Sequence, residues 1–201
     1  MINALPYYGT SQITVLAIMM KFGAIVLDTD VLSQFAKSEP KPLVRDFIEN
    51  TPIDKMAIPF PVLVEVLKGI EIRSRTSPQR AAWLRQWVNL MLATDMLFLP
   101  ANEKTSVIYA KLIAMPELRG LWMINGKNRD KFPGQDLMVA ATAIAYQLPI
   151  ATMNGKDFQL IDNKMQLPGV LDLHVGCWLC NSMTPFAEAS NPDVHLIQKF
   201  A

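Results

Sequence analysis

The sequence predicts an α/β fold in which a mostly parallel sheet is covered by helices on both faces. Four short apolar runs, at residues 24–27, 55–59, 96–99 and 149–152, alternate with longer segments of helical periodicity. The segment at residues 136–146 is apolar almost throughout, as expected of a buried helix. Strands that alternate with helices pair in parallel, and ligand sites in such sheets lie at the carboxyl ends of the strands.

The composition is that of one folded domain with a sizeable core. The chain has 201 residues, of which 51% are hydrophobic and 18% are charged. Its net charge of +1 argues against a protein that coats nucleic acid through bulk charge, but it is compatible with local basic patches. Two cysteines do not make a disulfide framework, so we expect a reducing, cytoplasmic compartment.

The two ends of the chain differ in character from the segment between them. No charged residue occurs before Lys21, so the positive region that begins a secretory signal is missing. No apolar run reaches the ~18 residues that suggest a membrane span. We expect a weakly ordered extension at residues 1–18, one domain at residues 19–178 and a C-terminal tail at residues 179–201.

The first half of the chain divides at its polar turns and prolines. The first strand ends at a polar turn, and we expect Thr29 or Asp30 to cap the short helix that follows. A second helix is predicted around residues 43–48. The second strand leads into a third helix, whose first turn contains Pro61 at a position that suits proline.

The second half continues the alternation. Helices are predicted over residues 79–93 and 103–115, followed by a polar, basic loop at residues 119–135 and then the apolar helix. A last strand is predicted at residues 169–173. The predicted apolar stripes are Trp83, Leu84, Trp87, Val88 and Met91 on one helix and Val107, Ile108, Leu112 and Ile113 on the next.

Four acidic residues fall near the predicted strand ends or on the helices that follow them. They are Asp28, Glu65, Asp136 and Asp157. Neighbouring carboxylates repel one another unless they are protonated or share a cation. Oxygen ligands without His or Cys favour Mg²⁺ or Mn²⁺ over zinc. Because such an ion can orient a phosphate and lower the pKa of a bound water, the residues predict metal-dependent phosphodiester hydrolysis.

Each acid also has a purely structural interpretation. Asp30 and Asp136 are both placed to cap a helix, and for Asp30 capping is favoured over metal binding. Glu65 is costly on an apolar helix face unless it is paired, and a salt bridge to Lys68 is the alternative to metal binding. The joint placement of the acids carries the metal prediction.

Four segments, taken in order, resemble the PIN domain family, and more narrowly its VapC and FitB-type toxins. Residues 25–33, IVLDTDVLS, resemble the family's opening strand and its Asp-Thr-Asn turn. Residues 62–69, VLVEVLKG, resemble its Glu-Leu-x-x-Gly helix. Residues 136–143, DLMVAATA, resemble its third acidic motif, and residues 152–158, TMNGKDF, resemble its Thr-Arg-Asn-x-x-Asp-Phe segment. The resemblance extends over residues 23–178.

This resemblance implies a three-layer α/β/α sandwich, Mg²⁺ or Mn²⁺ as cofactor, and endonucleolytic cleavage of RNA. It also implies a homodimer and a cognate VapB-like antitoxin that blocks the site. Carried over by position, Asp28, Glu65 and Asp136 become the metal ligands. The fourth acid lies at the position of Asn154 in some relatives and at that of Asp157 in others. Asn154 carries no charge, so we favour Asp157.

The chain departs from the family pattern at several positions. Asp30 replaces the usual Asn and adds negative charge beside the site. Met153 replaces a common Arg and removes one possible contact with phosphate. The sequence at residues 176–178, GCW, stands in place of a closing Asn-Pro-Trp.

Several polar residues are candidates for positioning an RNA substrate. Thr152 and Asn154 follow the fourth strand, and a basic segment precedes the third acidic motif. The basic residues of that segment are Lys127, Arg129 and Lys131. A second basic region contains Arg73, Arg75, Arg80 and Arg85. Phosphate backbones require such charges, although solvated surface charge is the alternative in both cases.

Two further classes of function are disfavoured by the sequence. The sequence does not favour a different class of phosphatase or hydrolase, because it has no Gly-rich phosphate loop and no Gly-x-Ser-x-Gly elbow. A zinc site is disfavoured because one Cys-x-x-Cys pair with irregular histidine spacing is a weak pattern. The residues concerned are His174, Cys177, Cys180 and His195.

One alternative function remains open. A catalytically weak PIN-fold protein could act by binding RNA or a protein partner. The acids at positions 28, 65 and 136 favour the nuclease over this alternative, because a protein that only binds has no need of the complete set.

Overall fold

The computed structural model describes residues 22–122 and 135–181, which form a six-stranded sheet flanked by helices. The strands are β1 (Ile25–Leu27), β2 (Met56–Pro59), β3 (Leu97–Leu99), β4 (Ile150–Thr152), β5 (Gly169–Asp172) and β6 (Cys177–Asn181). Their order in the sheet is β3-β2-β1-β4-β5-β6. The first five are parallel and β6 is antiparallel to β5. The predicted three-layer α/β/α fold with a mostly parallel sheet is confirmed.

The helices of the described residues lie between these strands. They are α1 (Thr29–Leu32), α2 (Pro42–Asn50), α3 (Phe60–Ser74), α4 (Pro78–Leu92), α5 (Glu103–Ile113), α6 (Gln135–Tyr146) and α7 (Gly155–Asp162). The sequence did not predict α7 or β6, and β6 extends past residue 178, where the predicted domain ends. No helix in the described ranges is long and apolar enough to cross a membrane.

The core lies against both faces of the central strands. Every residue of β1, β2, β4 and β5 is buried. Strands covered on both faces contain continuous apolar runs, which is why these segments lack the alternation of a half-exposed strand. Most residues of α6 are also buried, as its apolar sequence predicted.

The strand order places a crevice at the carboxyl end of β1. The chain adds β2 and β3 on one side of β1 and then passes to the other side with β4 and β5. At such a switch point the connecting loops separate and leave room for a ligand. Leu27 pairs with Ala151, so the next residues, Asp28 and Thr152, lie side by side at the carboxyl ends of β1 and β4.

Three details of the sequence prediction are wrong. The N-cap of α1 is Asp28, not Thr29 or Asp30, because the Asp28 side chain accepts the Thr29 amide. Trp83 is 44% exposed and Val107 is 50% exposed, so neither belongs to a buried stripe. Trp83 instead packs under the guanidinium of Arg80, 4.0 Å from the ring centroid.

We predict that Gly155→Ala lowers the free energy of unfolding by about 1–3 kcal/mol. A Cβ at this first residue of α7 would collide with the side chains of the half-buried Leu179 and the buried Asp172. Urea unfolding monitored by circular dichroism measures the effect.

The matched control is Gly69→Ala in the middle of α3, where an added Cβ meets nothing within 4 Å. This variant should gain about 0.5–1 kcal/mol, because alanine is the better helix former. Equal stabilities for the two variants would contradict the close packing of α7 against β5 and β6.

Candidate active site

Asp28 lies in the crevice directly after β1 and is 5% exposed. Its Oδ1 accepts a hydrogen bond from the Thr29 amide at 2.8 Å, and its Oδ2 accepts one from the Thr152 hydroxyl at 2.7 Å. The Thr152 hydroxyl also accepts the amide of Asn154 at 2.9 Å. Because these partners come from two paired strand ends, the Asp28 carboxylate is held in a fixed position.

Asp30 ties the start of α1 to the loop after β4. Its two carboxylate oxygens accept the Met153 amide at 3.1 and 3.0 Å. This contact explains why Asp30 is not a helix cap: its acceptors face a residue 123 positions further along the chain. The side chain is half-buried.

Glu65 and Asp136 are contributed by two different helices. Glu65 lies in the second turn of α3 and Asp136 is the second residue of α6, and both are half-buried. Negative charge in the first turn of a helix is favourable, because the unpaired amide groups there point towards it. Asp136 therefore lies where α6 itself stabilises its carboxylate.

The acids form one electrostatically connected group. Burial, together with the charges of Asp30 and Glu65, raises the pKa of Asp28 to about 7. Burial, together with the charges of Asp136 and Asp172, raises the pKa of Asp30 to about 6. The charges of Glu65, Asp136 and Asp172 therefore each act on Asp28 or Asp30.

Asp157 is joined to Asp28 through intermediate groups. It lies in the first turn of α7, and its Oδ2 accepts a hydrogen bond from the Asn154 side-chain amide at 2.6 Å. Asn154 is in turn bonded through its backbone to Thr152, which bonds to Asp28. Thr152 and Asn154, predicted to position substrate, therefore form the link between these two acids.

Asp172 is a polar residue of this region that the sequence analysis missed. It ends β5, is 8% exposed, and accepts the His174 amide through Oδ1 at 2.7 Å. The signal that identified Asp28 was an acid at the end of a strand. The same signal was present at Asp172 and could have found it.

Gln135 is a second residue that was missed. It is 6% exposed, and its Nε2 donates to the Thr29 hydroxyl at 3.2 Å and to the Pro61 carbonyl at 3.0 Å. No sequence pattern marks a lone glutamine before an apolar helix, so only the folded structure reveals these contacts.

Some predicted residues lie outside the described ranges. These are Lys127, Arg129, Lys131 and His195. For the remaining residues of the zinc pattern, the structure shows a half-buried Cys177 and a buried Cys180 on β6. Burial raises the pKa of Cys180 to about 12, so its thiol is a poor source of the thiolate that zinc binds.

The acidic group fits a divalent cation in its chemistry and its charge. It offers carboxylate oxygens, which Mg²⁺ and Mn²⁺ prefer, and the pKa of Asp28 is raised first by burial and then by neighbouring charge, both of which a cation would offset. In residues 22–122 and 135–181, however, no three His, Cys, Asp or Glu side chains could hold a metal ion as they stand. The donor types fit the ion, while their positions do not form a complete coordination sphere.

Comparison with known families decides the assignment of the fold. The PIN domain family matches residues 25–164, a span that includes all four predicted acids. The chain belongs to the PIN domain family. A comparison with curated protein sequences finds no match.

Several solved structures are similar to this PIN domain, and for FitAcB and VapBC2 the likeness extends to the fold. FitAcB from Neisseria gonorrhoeae is 20% identical, covers 69% of this chain and 93% of its own, and has a TM-score of 0.51. VapBC2 from Rickettsia felis, bound to a DNA fragment from their promoter, is 22% identical, covers 68% and 91%, and has a TM-score of 0.50. VapBC-5 from Mycobacterium tuberculosis, a member of the VapBC family of toxin-antitoxin systems, is 24% identical, covers 73% and 94%, and has a TM-score of 0.45. At these identities the likeness shows the fold alone.

We predict that the metal-free PIN domain loses stability as the pH rises from about 4 to about 7. Asp28 and Asp30 bind their protons more tightly in the folded chain, with pKa values of about 7 and about 6. Their stabilising contribution is therefore complete below the unfolded pKa and is lost as the pH passes through the folded values. Thermal unfolding in a chelating buffer at pH 5 and pH 8 measures it.

The Asp28→Asn variant should reduce this pH dependence and unfold at a higher temperature than the wild type at pH 8, by on the order of 5 °C. Asp46→Asn, on the exposed surface of α2, is the matched control and should behave as the wild type. An unchanged pH slope in Asp28→Asn would show that Asp28 is not the uncompensated carboxylate.

Proposed function

We propose that this PIN domain is a Mg²⁺- or Mn²⁺-dependent endoribonuclease and the toxin component of a VapBC-type toxin–antitoxin system. The observation that carries the proposal is the group of acids at the switch point of the sheet. Burial there raises the pKa of Asp28 and Asp30 and so works against their charged forms, and a divalent cation compensates for that cost. The family membership and the motif resemblance support the same chemistry.

In the proposed mechanism Asp28, Glu65 and Asp136 would hold the cation, which would supply water activation and stabilisation of phosphate charge. Thr152 holds the Asp28 carboxylate in place through its hydroxyl. Asp157, oriented by Asn154, is the fourth acid and can accept a proton within the site.

The proposed RNA contacts come from two sets of basic residues. Lys127, Arg129 and Lys131 directly precede α6 in the sequence, so they are candidates to bind phosphate near the acids. The arginines where α3 meets α4 are exposed, and one of them, Arg85, is paired with Glu71 at 2.9 Å. Surface pairs of this kind contribute little stability, which leaves Arg85 able to exchange its partner for a phosphate.

A second candidate function is a PIN-fold protein that binds RNA or a protein partner with little catalysis. The observation that favours it is the lack of a ready three-ligand group in the described residues. The two candidates differ in what a metal does. A nuclease requires the ion for turnover, whereas a binding protein keeps its affinity for RNA in a chelating buffer.

We predict that Asp28→Asn, Glu65→Gln and Asp136→Asn each abolish Mg²⁺-dependent RNA cleavage while the fold remains intact. Each change removes one charged ligand at constant shape. The loss should exceed the ~10–100-fold typical of groups that only support a ligand. Cleavage of a labelled RNA in Mg²⁺, with circular dichroism as a check of folding, measures the effect.

The control for these variants is Asp46→Asn, which removes an exposed acid from α2 and should cleave at the wild-type rate. Wild-type cleavage in any of the three site variants would refute the proposed metal site. If no variant, including the wild type, cleaves RNA in Mg²⁺ or Mn²⁺, the binding function is favoured instead.

We further propose a homodimer and an antitoxin that inhibits by inserting a basic side chain near Asp28 and Asp136. The buried Asp28 carboxylate, whose hydrogen-bond partners are an amide and a hydroxyl, is a suitable target for Arg or Lys, which can replace the metal. Charge reversal of that antitoxin residue should restore cleavage by the complex. Reversal of an exposed antitoxin charge away from the crevice is the control, and a complex that is fully active with the native antitoxin would contradict this mode of inhibition.

A further inference from the structure

The buried side chain of Gln135 joins the three elements that carry the proposed ligands. Its Nε2 donates to the Thr29 hydroxyl on α1 at 3.2 Å and to the Pro61 carbonyl on α3 at 3.0 Å, and Gln135 itself begins α6. The orientation of the carboxamide follows from chemistry. A carbonyl only accepts hydrogen bonds, so the group that faces Pro61 is the amide nitrogen.

Each of these contacts is one step away from a proposed ligand. The amide of Thr29 donates to Asp28. In an α-helix the carbonyl of residue 61 accepts the amide of residue 65. The Pro61 carbonyl that accepts the hydrogen bond from Gln135 therefore also fixes the backbone of Glu65. Asp136 is the next residue in the chain. One carboxamide thus sets the relative positions of the segments that present all three acids.

The oxygen of the Gln135 carboxamide accepts no hydrogen bond from the described residues. Gln135 Oε1 is buried and has no hydrogen-bond partner among the residues that the structure describes. A buried acceptor without a donor costs stability, and an apolar side chain of the same shape avoids that cost. A polar residue at such a position is therefore poorly explained by packing alone.

We propose that Gln135 is a positioning residue of the metal site, which holds the segments that carry Asp28, Glu65 and Asp136 together so that a cation can draw the three carboxylates onto itself. This inference rests on the proposed function, because it presupposes that these acids bind a divalent metal. Gln135 itself does not coordinate the ion. It acts through Thr29 and Pro61, which hold the two segments that carry Asp28 and Glu65.

Gln34 provides a matched control elsewhere in the fold. It is also a buried glutamine, 3% exposed, and its Oε1 accepts the Lys41 amide at 3.3 Å in the loop before α2. Replacement by Met at either position keeps the side-chain length and removes the carboxamide. The hydrogen bond of the Gln34 carboxamide goes to Lys41, whereas those of Gln135 go to Thr29 and Pro61 on the segments that carry the acids. The two substitutions therefore separate loss of a buried amide from loss of the link between those segments.

The experiment measures Mn²⁺ binding by isothermal titration calorimetry for the full-length chain and its Gln135→Met, Gln135→Asn and Gln34→Met variants. Thermal unfolding without metal is recorded in parallel. We expect the two Gln135 variants to bind Mn²⁺ about tenfold or more weakly than the wild type. Gln34→Met should bind within about twofold of the wild type, because the hydrogen bond that it removes goes to Lys41 and not to a segment that carries a proposed ligand. Gln135→Asn keeps a polar group and serves if Gln135→Met does not fold.

The outcomes separate this inference from the proposed function. Weaker Mn²⁺ binding confined to the Gln135 variants supports the positioning role. If all variants bind Mn²⁺ as the wild type does, the role of Gln135 is refuted while the metal site stands. If Gln34→Met and the Gln135 variants lose affinity equally, the effect is one of general stability and the positioning role is refuted. If the wild type does not bind Mn²⁺, the proposed metal-dependent function is refuted, and the role of Gln135 is refuted with it.

Discussion

The negative charge of Asp28, buried at the end of the central strand, is the constraint on which the site depends. Two hydrogen bonds, from the Thr29 amide and the Thr152 hydroxyl, fix the carboxylate but supply no positive charge. Burial and neighbouring acids together raise its pKa to about 7. A buried, negatively charged carboxylate is unfavourable on its own. Strongly raised carboxylate pKa values are typical of sites that bind a cationic partner. A metal ion and an antitoxin side chain are the two partners proposed for it.

The rest of the fold holds this charge in place. Continuous apolar strands form a rigid sheet, and the reversal of strand order beside β1 opens the crevice at their carboxyl ends. The apolar α6 packs inside the molecule and brings Asp136 to the same region. Gln135 at its first residue contacts both α1 and α3. The elements that stabilise the domain are therefore the same ones that position the acids.

The substitution of Asp30 for the family's usual Asn is explained by the local structure. Its two oxygens share the Met153 amide, so the carboxylate fastens α1 to the loop after β4. The additional charge adds to the repulsion on Asp28. The change therefore strengthens the electrostatic demand for a cation while it preserves a contact between two strand ends.

The sequence by itself determined the fold class, the central strands and the placement of acids at the strand ends. These features follow from apolar periodicity and short motifs, which are local properties of the chain. Only the tertiary structure decided that Asp28 caps α1, that Asp30 bonds to Met153, and that Trp83 lies outside the core. The contacts of Gln135 and Asp172 were also decided there. The physical reason is that hydrogen bonds such as that from Gln135 to Thr29 join residues 106 positions apart, and no local pattern records which distant groups will meet.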